Sequence, residues 1–502
     1  MFSRVITLLL AFVLALSAAP LCSLAEELPT LAGFDEASSG HDWNNNRFFL
    51  AMEERTGQHF KYQQFTEAAE YTQWKDGLTT DSDLPSVLFK AALTDEETLR
   101  LYEAGVLINL KPLLAENAPN LWSMLQSDPL LMQAVTLPDG AIAALPMIDP
   151  MPSNNLLWIN QRWLTVLNLE APATADALTE VLRAFKTQDP NRNGRADEIP
   201  LTFTGLWDLR FLQHAFGLVM NDYYLSLDEN GKCVSLVTDE RNRAFLAWMR
   251  QLWEEKLIDE NGFTSGDTLR KVTDTNAAIP YGFVFGPTAL QLLPASAADS
   301  FMPLEPLTYN DKAVYRSLLG SMTKGTFALT PACADPAAML QWIDFLYTEE
   351  GCYLSRAGQK DVDYEVHEDG TWSWLYSTEE VMNVVMTEDT IANGGATPGY
   401  VSPDYQLAFD DDATHRQLAQ IYELESKSVE PVPNIYLTAE ERAKLSELWP
   451  AISEYCETQM TWFITGDQLL NDETWSAFCS EAVRLGVNQV AALFDSALRR
   501  AQ

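Results

Sequence analysis

Residues 30–35 read TLAGFD and residues 47–65 read RFFLAMEERTGQHFKYQQF, and together they decide the fold. The first stretch is a short apolar strand that ends in a polar loop, and the second is a helix, a Thr56-Gly57 stop and a second strand. Residues 71–89, YTQWKDGLTTDSDLPSVLF, repeat this order with a helix, a turn and an apolar strand. The alternation predicts a mostly parallel sheet covered by helices. Because no glycine loop of the dinucleotide-binding type follows these strands, a nucleotide fold is not indicated.

The length of the chain predicts more than one lobe. It has 502 residues, too many for one core, and its composition of 47% hydrophobic and 21% charged residues is that of an ordinary globular protein. Two strand-like runs, 139–147 and 155–160, are separated by Pro150 and Pro152, which indicates a crossover between lobes. Further helices are predicted after Thr174, at 240–256, after Pro336 and after Thr438.

The first 25 residues have the organisation of an export signal. Arg4 precedes an apolar run from Val5 to Leu16, and Ser23-Leu24-Ala25 offers small residues at a cleavage position, so the mature chain is expected to begin at Glu26. A membrane anchor is the alternative, but the run is shorter than the roughly 20 residues of a spanning helix. We therefore expect a soluble protein outside the cytoplasm.

Charge and cysteine content exclude several classes of protein. Removing residues 1–25 removes one charge, that of Arg4, so the formal net charge goes from −38 to −39. Such a surface repels nucleic acid and anionic lipid, and neither is expected as a partner. An odd number of cysteines remains, none in Cys-x-x-Cys spacing, so neither a disulfide framework nor a zinc site is expected. These cysteines are Cys233, Cys333, Cys352, Cys456 and Cys479.

Residues 187–202, TQDPNRNGRADEIPLT, space oxygen-bearing side chains two residues apart and then turn on a glycine. Calcium takes six to eight oxygen ligands, and a loop provides them when alternate side chains point inward. Asp189, Asn191 and Asn193 fill the first, third and fifth places of an EF-hand-like loop, Gly194 the sixth, and Arg195 offers its carbonyl from the seventh.

The end of this loop departs from the EF-hand pattern. The glutamate of the twelfth place is Pro200 here, which leaves Asp197 and Glu198 to complete a ligand shell. The sequence therefore predicts a structural calcium site rather than a helix-loop-helix sensor. The alternative is a solvated polar turn that ends a helix.

Eight segments, spread over nearly the whole mature chain, together form a pattern whose order and spacing are more specific than any one of them. The segments are EERTGQHFKY, GLTTDSDLPSVLF, GVLINLKPLLAENAPN, DGAIAALP, INQRWLTVLNLEAPATADALTEVLRAFKTQDPNRNGRADEIPLT, LWEEKLIDENGFT, DFLYTEEG and TWFITGDQLL. This pattern resembles the extracellular solute-binding proteins (family 1), the receptors of ABC importers, and above all the long members that include alginate-binding receptors and Gram-positive lipoproteins.

The resemblance implies a two-lobe α/β fold of the periplasmic-binding-protein type (type II), with mostly parallel sheets flanked by helices and a ligand cleft between the lobes. We expect residues 26–150 and 315–395 to form lobe 1 and residues 151–314 and 396–502 to form lobe 2. The hinge is expected near 147–155 and 308–322. The resemblance further implies that an ABC permease is the partner and that the protein is a monomer.

The resemblance also bears on the metal and on anchoring. The long members bind calcium in the same loop, which implies Asp189, Asn191, Asn193, Arg195 through its carbonyl, Asp197 and Glu198 as ligands. Many Gram-positive relatives carry a lipidated cysteine, but Cys22 follows Ala19-Pro20-Leu21 and fits a lipidation motif poorly. The protein is expected to be extracellular or at the cell surface, with lipidation left open.

A saccharide is the expected solute, bound by aromatic platforms and polar partners in loops that follow strands. For each candidate separately, ordinary loop packing is an equal alternative. The candidates are Trp43, Asn45, Trp207, Asp208, Arg210, Tyr281, Phe283 and Tyr400.

Two other functions remain open. A secreted carbohydrate-active hydrolase would need two carboxylates, and with 71 acidic residues such pairs arise by chance, but His-Glu-x-x-His and Gly-x-Ser-x-Gly motifs are absent. The sequence also does not exclude a receptor for a peptide or another non-sugar solute, or one that serves a sensor rather than an importer. We therefore expect a non-enzymatic receptor.

Overall fold

The structure is a computed structural model that describes residues 28–150, 155–264, 279–317, 322–410 and 412–501. The predicted export signal and Cys22 lie outside the described residues. The strands are β1 Thr30–Phe34, β2 Lys61–Phe65, β3 Val87–Phe89, β4 Leu145–Ile148, β5 Leu156–Asn160, β6 Ile199–Leu201, β7 Leu225–Leu227, β8 Cys233–Ser235, β9 Tyr281–Gly286, β10 Phe301–Pro303, β11 Tyr315–Arg316, β12 Met322–Leu329, β13 Tyr364–Val366, β14 Trp372–Trp374, β15 Gly399–Tyr400 and β16 Ser428–Val429.

Helices flank these strands. The α-helices are α1 Arg47–Thr56, α2 Ala68–Asp76, α3 Asp95–Glu103, α4 Lys111–Asn117, α5 Pro119–Ser127, α6 Pro129–Val135, α7 Gln161–Leu167, α8 Ala175–Thr187, α9 Gly205–Leu209, α10 Glu240–Glu254, α11 Ala295–Ala298, α12 Pro336–Asp344, α13 Glu349–Arg356, α14 Thr378–Glu380, α15 Pro403–Leu407, α16 Asp412–Glu425, α17 Ala439–Thr465, α18 Asp472–Leu485 and α19 Val487–Ala501. A π-helix spans Val381–Asp389, and 3₁₀ turns include Arg210–Phe216.

The predicted helices are confirmed, and their ends follow from local chemistry. Thr94 and Thr438 begin α3 and α17 with capping boxes, in which the threonine side chain and a glutamate three residues on satisfy each other's backbone N–H groups. Gly57 ends α1 in a left-handed conformation with φ of 68°, which glycine adopts without steric cost. The apolar stripe of α8 is buried from Leu178 to Phe185, as its spacing predicts.

The first sheet has six strands in the order β15-β4-β12-β3-β1-β2. β1 runs parallel to β2 and β3, whereas β12 runs antiparallel to β3 and β4. Strands β1, β3 and β4 therefore point the same way, and their carboxyl ends meet at one edge. The βαβ order read from residues 30–89 thus forms the parallel half of this sheet.

The second sheet has four strands in the order β10-β5-β9-β6. β6 and β9 are parallel, and β5 runs antiparallel to both β9 and β10. The ends of β6, β9 and β10 and the start of β5 therefore share one edge. Each sheet has its own buried core, one built around Trp43, Phe89 and Trp342 and the other around Phe185, Phe245 and Phe463.

The chain passes between the two sheets at β4 to β5 and at β10 to β12. Both connections fall on the segments where the sequence predicts a hinge. One boundary needs correction: β15, Gly399–Tyr400, pairs in parallel with β4 of the first sheet, although residues from 396 onward were assigned to lobe 2. The strand extends the first sheet because its backbone meets the free side of β4.

The five cysteines in the described part of the chain are free thiols, and four of them are buried. Burial, the largest cause, raises the pKa of Cys233 and Cys456 to about 12, which leaves them unreactive at neutral pH. Among the described residues, helices are too short or too polar to cross a membrane.

Candidate functional site

The first edge is formed by residues 35–46 and 90–93, which follow β1 and β3, together with residues 386–401. At its centre lies Asp35, whose side chain is fully buried. Its Oδ2 atom lies 2.9 Å from His41 Nδ1, accepts a hydrogen bond of 2.8 Å from Trp43 Nε1, and lies 3.0 Å from Lys90 Nζ. Burial, the largest influence, raises the pKa of Asp35, but the bond to His41 and the Lys90 charge outweigh it and hold that pKa below its usual range.

This network fixes the chain's own segment over the first edge. Lys90 Nζ donates to the carbonyl of Ile391 at 3.0 Å, and His41 Nε2 lies 2.9 Å from the carbonyl oxygen of Met386. Burial, the largest cause, lowers the pKa of Lys90 to about 8, against the attraction of Asp35. The polar groups of the first edge are thus used to hold residues 386–394 in place.

Trp43 was predicted to face a ligand, and the structure corrects this. Its side chain is fully buried and its ring lies 5.6 Å from Phe49 and 5.8 Å from Phe89, centroid to centroid. A buried indole cannot offer a face to a sugar, so Trp43 is a core residue. Asn45 is exposed and donates to Asp42 at 2.6 Å, so it remains at the surface of this edge.

The same segment contributes Asp389 to a buried pair of carboxylates with Asp363. Asp389, the last residue of the π-helix, is 2% exposed, and Asp363 is fully buried. Both oxygens of Asp389 and Oδ1 of Asp363 lack a hydrogen-bond partner among the described residues, although Arg47 Nε lies 3.0 Å from Asp389 Oδ1. Burial, followed by the charge of Asp363, raises the pKa of Asp389 to about 6, against the charge of Arg47.

The second edge carries a cluster of Trp207, Arg210, Asp222 and Arg316, which we call the Asp222 cluster. Trp207 lies in the short helix α9 after β6 and remains 40% exposed. Its Nε1 donates to Asp222 Oδ1 at 3.1 Å, and the same oxygen accepts from Arg316 Nη2 at 2.7 Å. Trp207 therefore has an exposed face and a fixed ring orientation.

The two arginines of the Asp222 cluster are buried, whereas its Trp207 and Asp222 side chains are partly exposed. The guanidinium of Arg316 lies 5.0 Å from the Phe211 ring centroid, and that of Arg210 lies 4.5 Å from the Tyr224 ring centroid. Burial, the largest influence, raises the pKa of Asp222, but the Arg316 charge and hydrogen bond outweigh it and hold that pKa below its usual range. Asp222 is therefore an ionised carboxylate whose side chain is 56% exposed.

Asp222 and Arg316 were missed by the sequence analysis. Asp222 follows Trp207 by fifteen residues in a polar turn, and Arg316 is ninety-four residues further on, in a segment read only as hinge. A cavity of about 260 Å³ adjoins them and also touches Asp95 at the start of α3, Glu430 and Arg442. It therefore lies between residues from both halves of the fold.

Three other predicted ligand residues are buried on their strands or turns. Asp208 is fully buried and accepts from Asn155 Nδ2 at 2.8 Å and from the Thr204 amide at 2.7 Å, so it fixes the turn beneath Trp207. Phe283 is fully buried, and Tyr281 is 6% exposed and begins β9 at the opposite edge. These three are corrected to structural residues.

Arg210 and Tyr400 lie at the predicted edges. Arg210 is 4% exposed and donates to the Asn221 carbonyl at 2.8 Å, so it supports the Asp222 cluster from beneath. Tyr400 ends β15 opposite Ile148, at the carboxyl end of β4, and is partly exposed. It stays a candidate on the first edge.

The loop predicted to bind calcium has the backbone of a tight polar loop. Asp189, Arg192 and Gly194 have φ of 47°, 57° and 73°. Asp189 accepts hydrogen bonds from the amides of Asn193 and Gly194 at 3.0 and 3.1 Å. Asn193 Nδ2 donates to Asp197 Oδ1 at 2.8 Å.

The side chains of this loop offer oxygen atoms, which are the type of ligand that a hard cation such as calcium prefers. Glu198 is 8% exposed, and its Oε1 is buried with no hydrogen-bond partner among the described residues. Burial is the largest cause that raises the pKa of Glu198, and the negative charges of Asp197 and Asp189 add to it. A dication would relieve this repulsion. Within the described ranges, however, no three His, Cys, Asp or Glu side chains gather in a metal-binding group.

No protein-family model matches the chain. In sequence it is similar to the fructooligosaccharide ABC transporter substrate-binding protein FusA of Streptococcus pneumoniae, with 32% identity over 236 residues. The match spans 45% of this chain and 44% of the relative, so the chain aligns with about half the relative's length. It is also similar to the lipoprotein LipO of Bacillus subtilis, with 34% identity over 111 residues, which are 20% of this chain and 21% of that one.

Solved structures match over nearly the whole chain. An oligosaccharide (HMO) binding, ABC-transporter-associated solute-binding protein from Bifidobacterium longum infantis has a TM-score of 0.79 at 20% identity, covering 95% of this chain and 99% of that one. FusA in complex with kestose has a TM-score of 0.69 at 22% identity, covering 94% and 98%.

FusA and the neighbour from Bifidobacterium longum infantis are ABC-transporter solute-binding proteins, which confirms the resemblance read from the sequence. The fold is the two-lobe fold of such proteins. The neighbours also include an EF-hand mutant of FusA in complex with fructo-nystose and the alginate-binding protein AlgQ2 without calcium ion.

Proposed function

We propose that this chain is the extracytoplasmic receptor of an ABC importer and that it binds an oligosaccharide between its two lobes. The observation that carries the proposal is the exposed Trp207 with the ionised Asp222 fixed beside it, next to a cavity between the lobes. An aromatic face and a carboxylate acceptor complement the apolar face and the hydroxyl edge of a sugar ring. The names of the FusA and oligosaccharide-binding relatives support a carbohydrate over another solute.

Closure about a hinge would complete the binding site. Arg316 belongs to β11, in the connection from the second sheet to the first, and Asp95 approaches the same cavity from α3. A ligand that contacts both sides favours the closed arrangement by the difference between its affinities for the closed and open forms. We expect small-angle scattering to report a smaller radius of gyration when a binding saccharide is added, and no change with a sugar that does not bind.

A receptor releases its saccharide unchanged, whereas a hydrolase cleaves it, so an incubation experiment distinguishes the two functions. Wild-type protein would be incubated with a panel of neutral and acidic oligosaccharides, and both binding and products would be followed by calorimetry and chromatography. We expect saturable binding with the saccharide recovered unchanged. Catalytic turnover would identify a hydrolase and end the receptor proposal, whereas binding of a peptide but of no saccharide would redirect it to another solute.

We further propose that residues 189–198 hold a structural calcium ion. The side chains of Asp189, Asn191, Asn193, Asp197 and Glu198, with the carbonyl of Arg195, would hold it, and its charge would offset the repulsion that raises the pKa of Glu198. Chelation should lower the melting temperature, and Asp189→Ala should lower it equally without chelator. If neither treatment changes stability and elemental analysis finds no metal, the loop is a polar turn.

Export belongs to the same proposal. Cleavage after Ala25 would release a mature chain that begins at Glu26, and the receptor would act outside the cytoplasm beside its permease. Mass spectrometry of the amino-terminal peptide of the exported protein should find Glu26. A diacylglyceryl modification on Cys22 would instead place the receptor on the membrane surface.

A further inference from the structure

We infer that the Asp222 cluster selects a neutral saccharide over an acidic one, so that the ring on Trp207 is uncharged. This inference rests on the proposed function and makes Asp222 the residue that determines specificity. The inference is based on the exposure of the charged groups in the cluster, which determines the charges that a ligand can contact.

The exposed charge of the Asp222 cluster is negative. The Asp222 side chain is 56% exposed, whereas those of Arg210 and Arg316 are 3% and 6% exposed. A ligand that stacks on Trp207 therefore meets the carboxylate first, with the guanidinium groups sealed behind it. Arg442, which lines the adjoining cavity, has its Nε and Nη2 atoms buried.

The contacts of the arginines lie within the protein, and their remaining unpaired donors, Arg316 Nε and Nη1 and Arg210 Nε, are buried away from a ligand, with no hydrogen-bond partner among the described residues. Arg316 Nη2 donates to Asp222, and the guanidinium lies over Phe211. Arg210 Nη2 donates to the Asn221 carbonyl, and its guanidinium lies over Tyr224. These contacts orient the arginines to hold Asp222 ionised rather than to form a bidentate pair with a ligand carboxylate.

The chemistry of the ligand follows from this arrangement. Sugar hydroxyl groups donate hydrogen bonds, and a carboxylate accepts them in a charge-assisted bond that is stronger than a neutral one. A uronate ring at the same place would bring a second negative charge close to Asp222, and the net charge of −38 adds repulsion at longer range. Glu430 and Asp95 line the adjoining cavity, although Arg442 lies there as well.

The test uses matched ligands. The neutral oligosaccharide that binds most tightly in the panel is compared by calorimetry with the same oligosaccharide after oxidation of its primary hydroxyl groups to carboxylates. We expect the oxidised form to bind at least tenfold more weakly at 50 mM salt. The difference should narrow at 0.5 M salt, because salt screens charge repulsion and leaves steric exclusion unchanged.

Two variants assign the discrimination to one residue. Asp222→Asn should weaken binding of the neutral saccharide and reduce the discrimination several-fold. Asp299→Asn is the matched control, because Asp299 is 47% exposed and pairs with Arg416 at 2.8 Å, but it precedes β10 at the opposite edge of the sheet. It should leave both affinities unchanged.

The outcomes separate the inference from the proposed function. If the oxidised saccharide binds as tightly as the neutral one, or if only acidic members of the panel bind, the selection of neutral rings is wrong and the receptor stands. Discrimination that persists in Asp222→Asn at every salt concentration also overturns it. If no saccharide of either kind binds, the proposed function fails and the inference fails with it.

Discussion

The carboxyl edges of the two sheets use the same three kinds of side chain in opposite ways. At the first edge the Trp43 indole N–H donates to Asp35 at 2.8 Å, and Lys90 is the cation beside it. At the second edge the Trp207 indole N–H donates to Asp222 at 3.1 Å, and Arg316 is the cation.

The difference between the edges is access. Trp43 and Asp35 are fully buried, whereas Trp207 is 40% exposed and the Asp222 side chain 56%. At the first edge the cation also binds the carbonyl of Ile391, so the network holds the protein together. At the second edge the indole and the carboxylate are presented to solvent, while the guanidinium group of Arg316 stays buried. A Trp-Asp-cation group is therefore either sealed into the fold or left accessible to a ligand, depending on which other segments of the chain cover it.

The largest effect is expected from Trp43→Ala. Truncating a fully buried tryptophan leaves a cavity and removes a hydrogen bond to Asp35, at a cost of about 3–5 kcal/mol in the free energy of unfolding. The melting temperature should fall by several degrees, with affinity retained in the protein that stays folded. Trp43→Phe keeps an aromatic ring but loses the N–H group, so its melting temperature should lie between those of wild type and Trp43→Ala. A variant that melts like wild type but no longer binds would place this edge in the ligand site.

A comparable loss is expected from Lys90→Met. The substitution keeps much of the side-chain volume but leaves Asp35 without its ammonium partner in the interior, and breaking a buried ion pair costs about 3–5 kcal/mol. Hydrogen exchange should become faster at residues 386–394, because the carbonyl groups of Ile391 and Asn393 lose their ammonium donor. Asp35→Asn together with Lys90→Met should recover part of the stability. No recovery in the double variant would contradict the pairing.

A smaller effect, on affinity rather than stability, is expected from Trp207→Ala. Loss of an aromatic platform should weaken saccharide binding by about 1–3 kcal/mol, or roughly ten- to a hundredfold, as aromatic stacking does in other complexes. The melting temperature without ligand should change little, because the ring is exposed. Trp462→Ala, at a tryptophan of 41% exposure on α17, is the matched control and should bind normally. Equal losses in both variants would contradict a specific platform.

The smallest expected effect is a pH-dependent change in the free energy of unfolding. It concerns Asp389, a buried residue of the first edge. Its pKa is raised from 3.8 to about 6 in the folded protein, so the fold favours the protonated form. That stabilisation is complete below pH 3.8 and is lost as the pH rises through about 6. Asp389→Asn should therefore raise stability by about 1–2 kcal/mol at pH 8 and have little effect at pH 4.

Melting curves of wild type and Asp389→Asn from pH 4 to pH 8 would test this prediction. Asp81→Asn, the same change of carboxylate to amide at an exposed position outside the pair, provides the control. Asp363→Asn should act like Asp389→Asn, and the double variant should add little, because either change removes the repulsion. A difference that stays constant with pH would contradict the raised pKa of Asp389.

The sequence predicted the local features of this fold well. Apolar spacing located α8, the capping boxes located α17, and the βαβ order of residues 30–89 located the parallel half of the first sheet. Each of these depends on residues close together in the chain. The resemblance of many short segments then supplied the two-lobe arrangement, which no single segment determines.

The sequence could not separate Trp43 from Trp207, because each comes shortly after a strand, Trp43 after β1 and Trp207 after β6. Their burial is decided by distant segments. Met386 and Ile391, more than three hundred residues away, contact His41 and Lys90 and close the first edge. Arg316 reaches Asp222 from ninety-four residues away. The local sequence predicts which kinds of side chain lie at an edge of a sheet. Their exposure depends on the tertiary packing of distant segments.

A crystal structure of the saccharide complex tests the difference between the two edges most directly. The binding oligosaccharide from the neutral panel would be used with wild-type protein. The account predicts a sugar ring stacked on Trp207 at about 4 Å, the contact distance of apolar groups, with a hydroxyl group donating to Asp222. It also predicts Trp43 and Asp35 still sealed beneath residues 386–394 with no ligand contact. A saccharide bound away from Trp207, or a first edge opened so that the ligand reaches Trp43, would contradict the account.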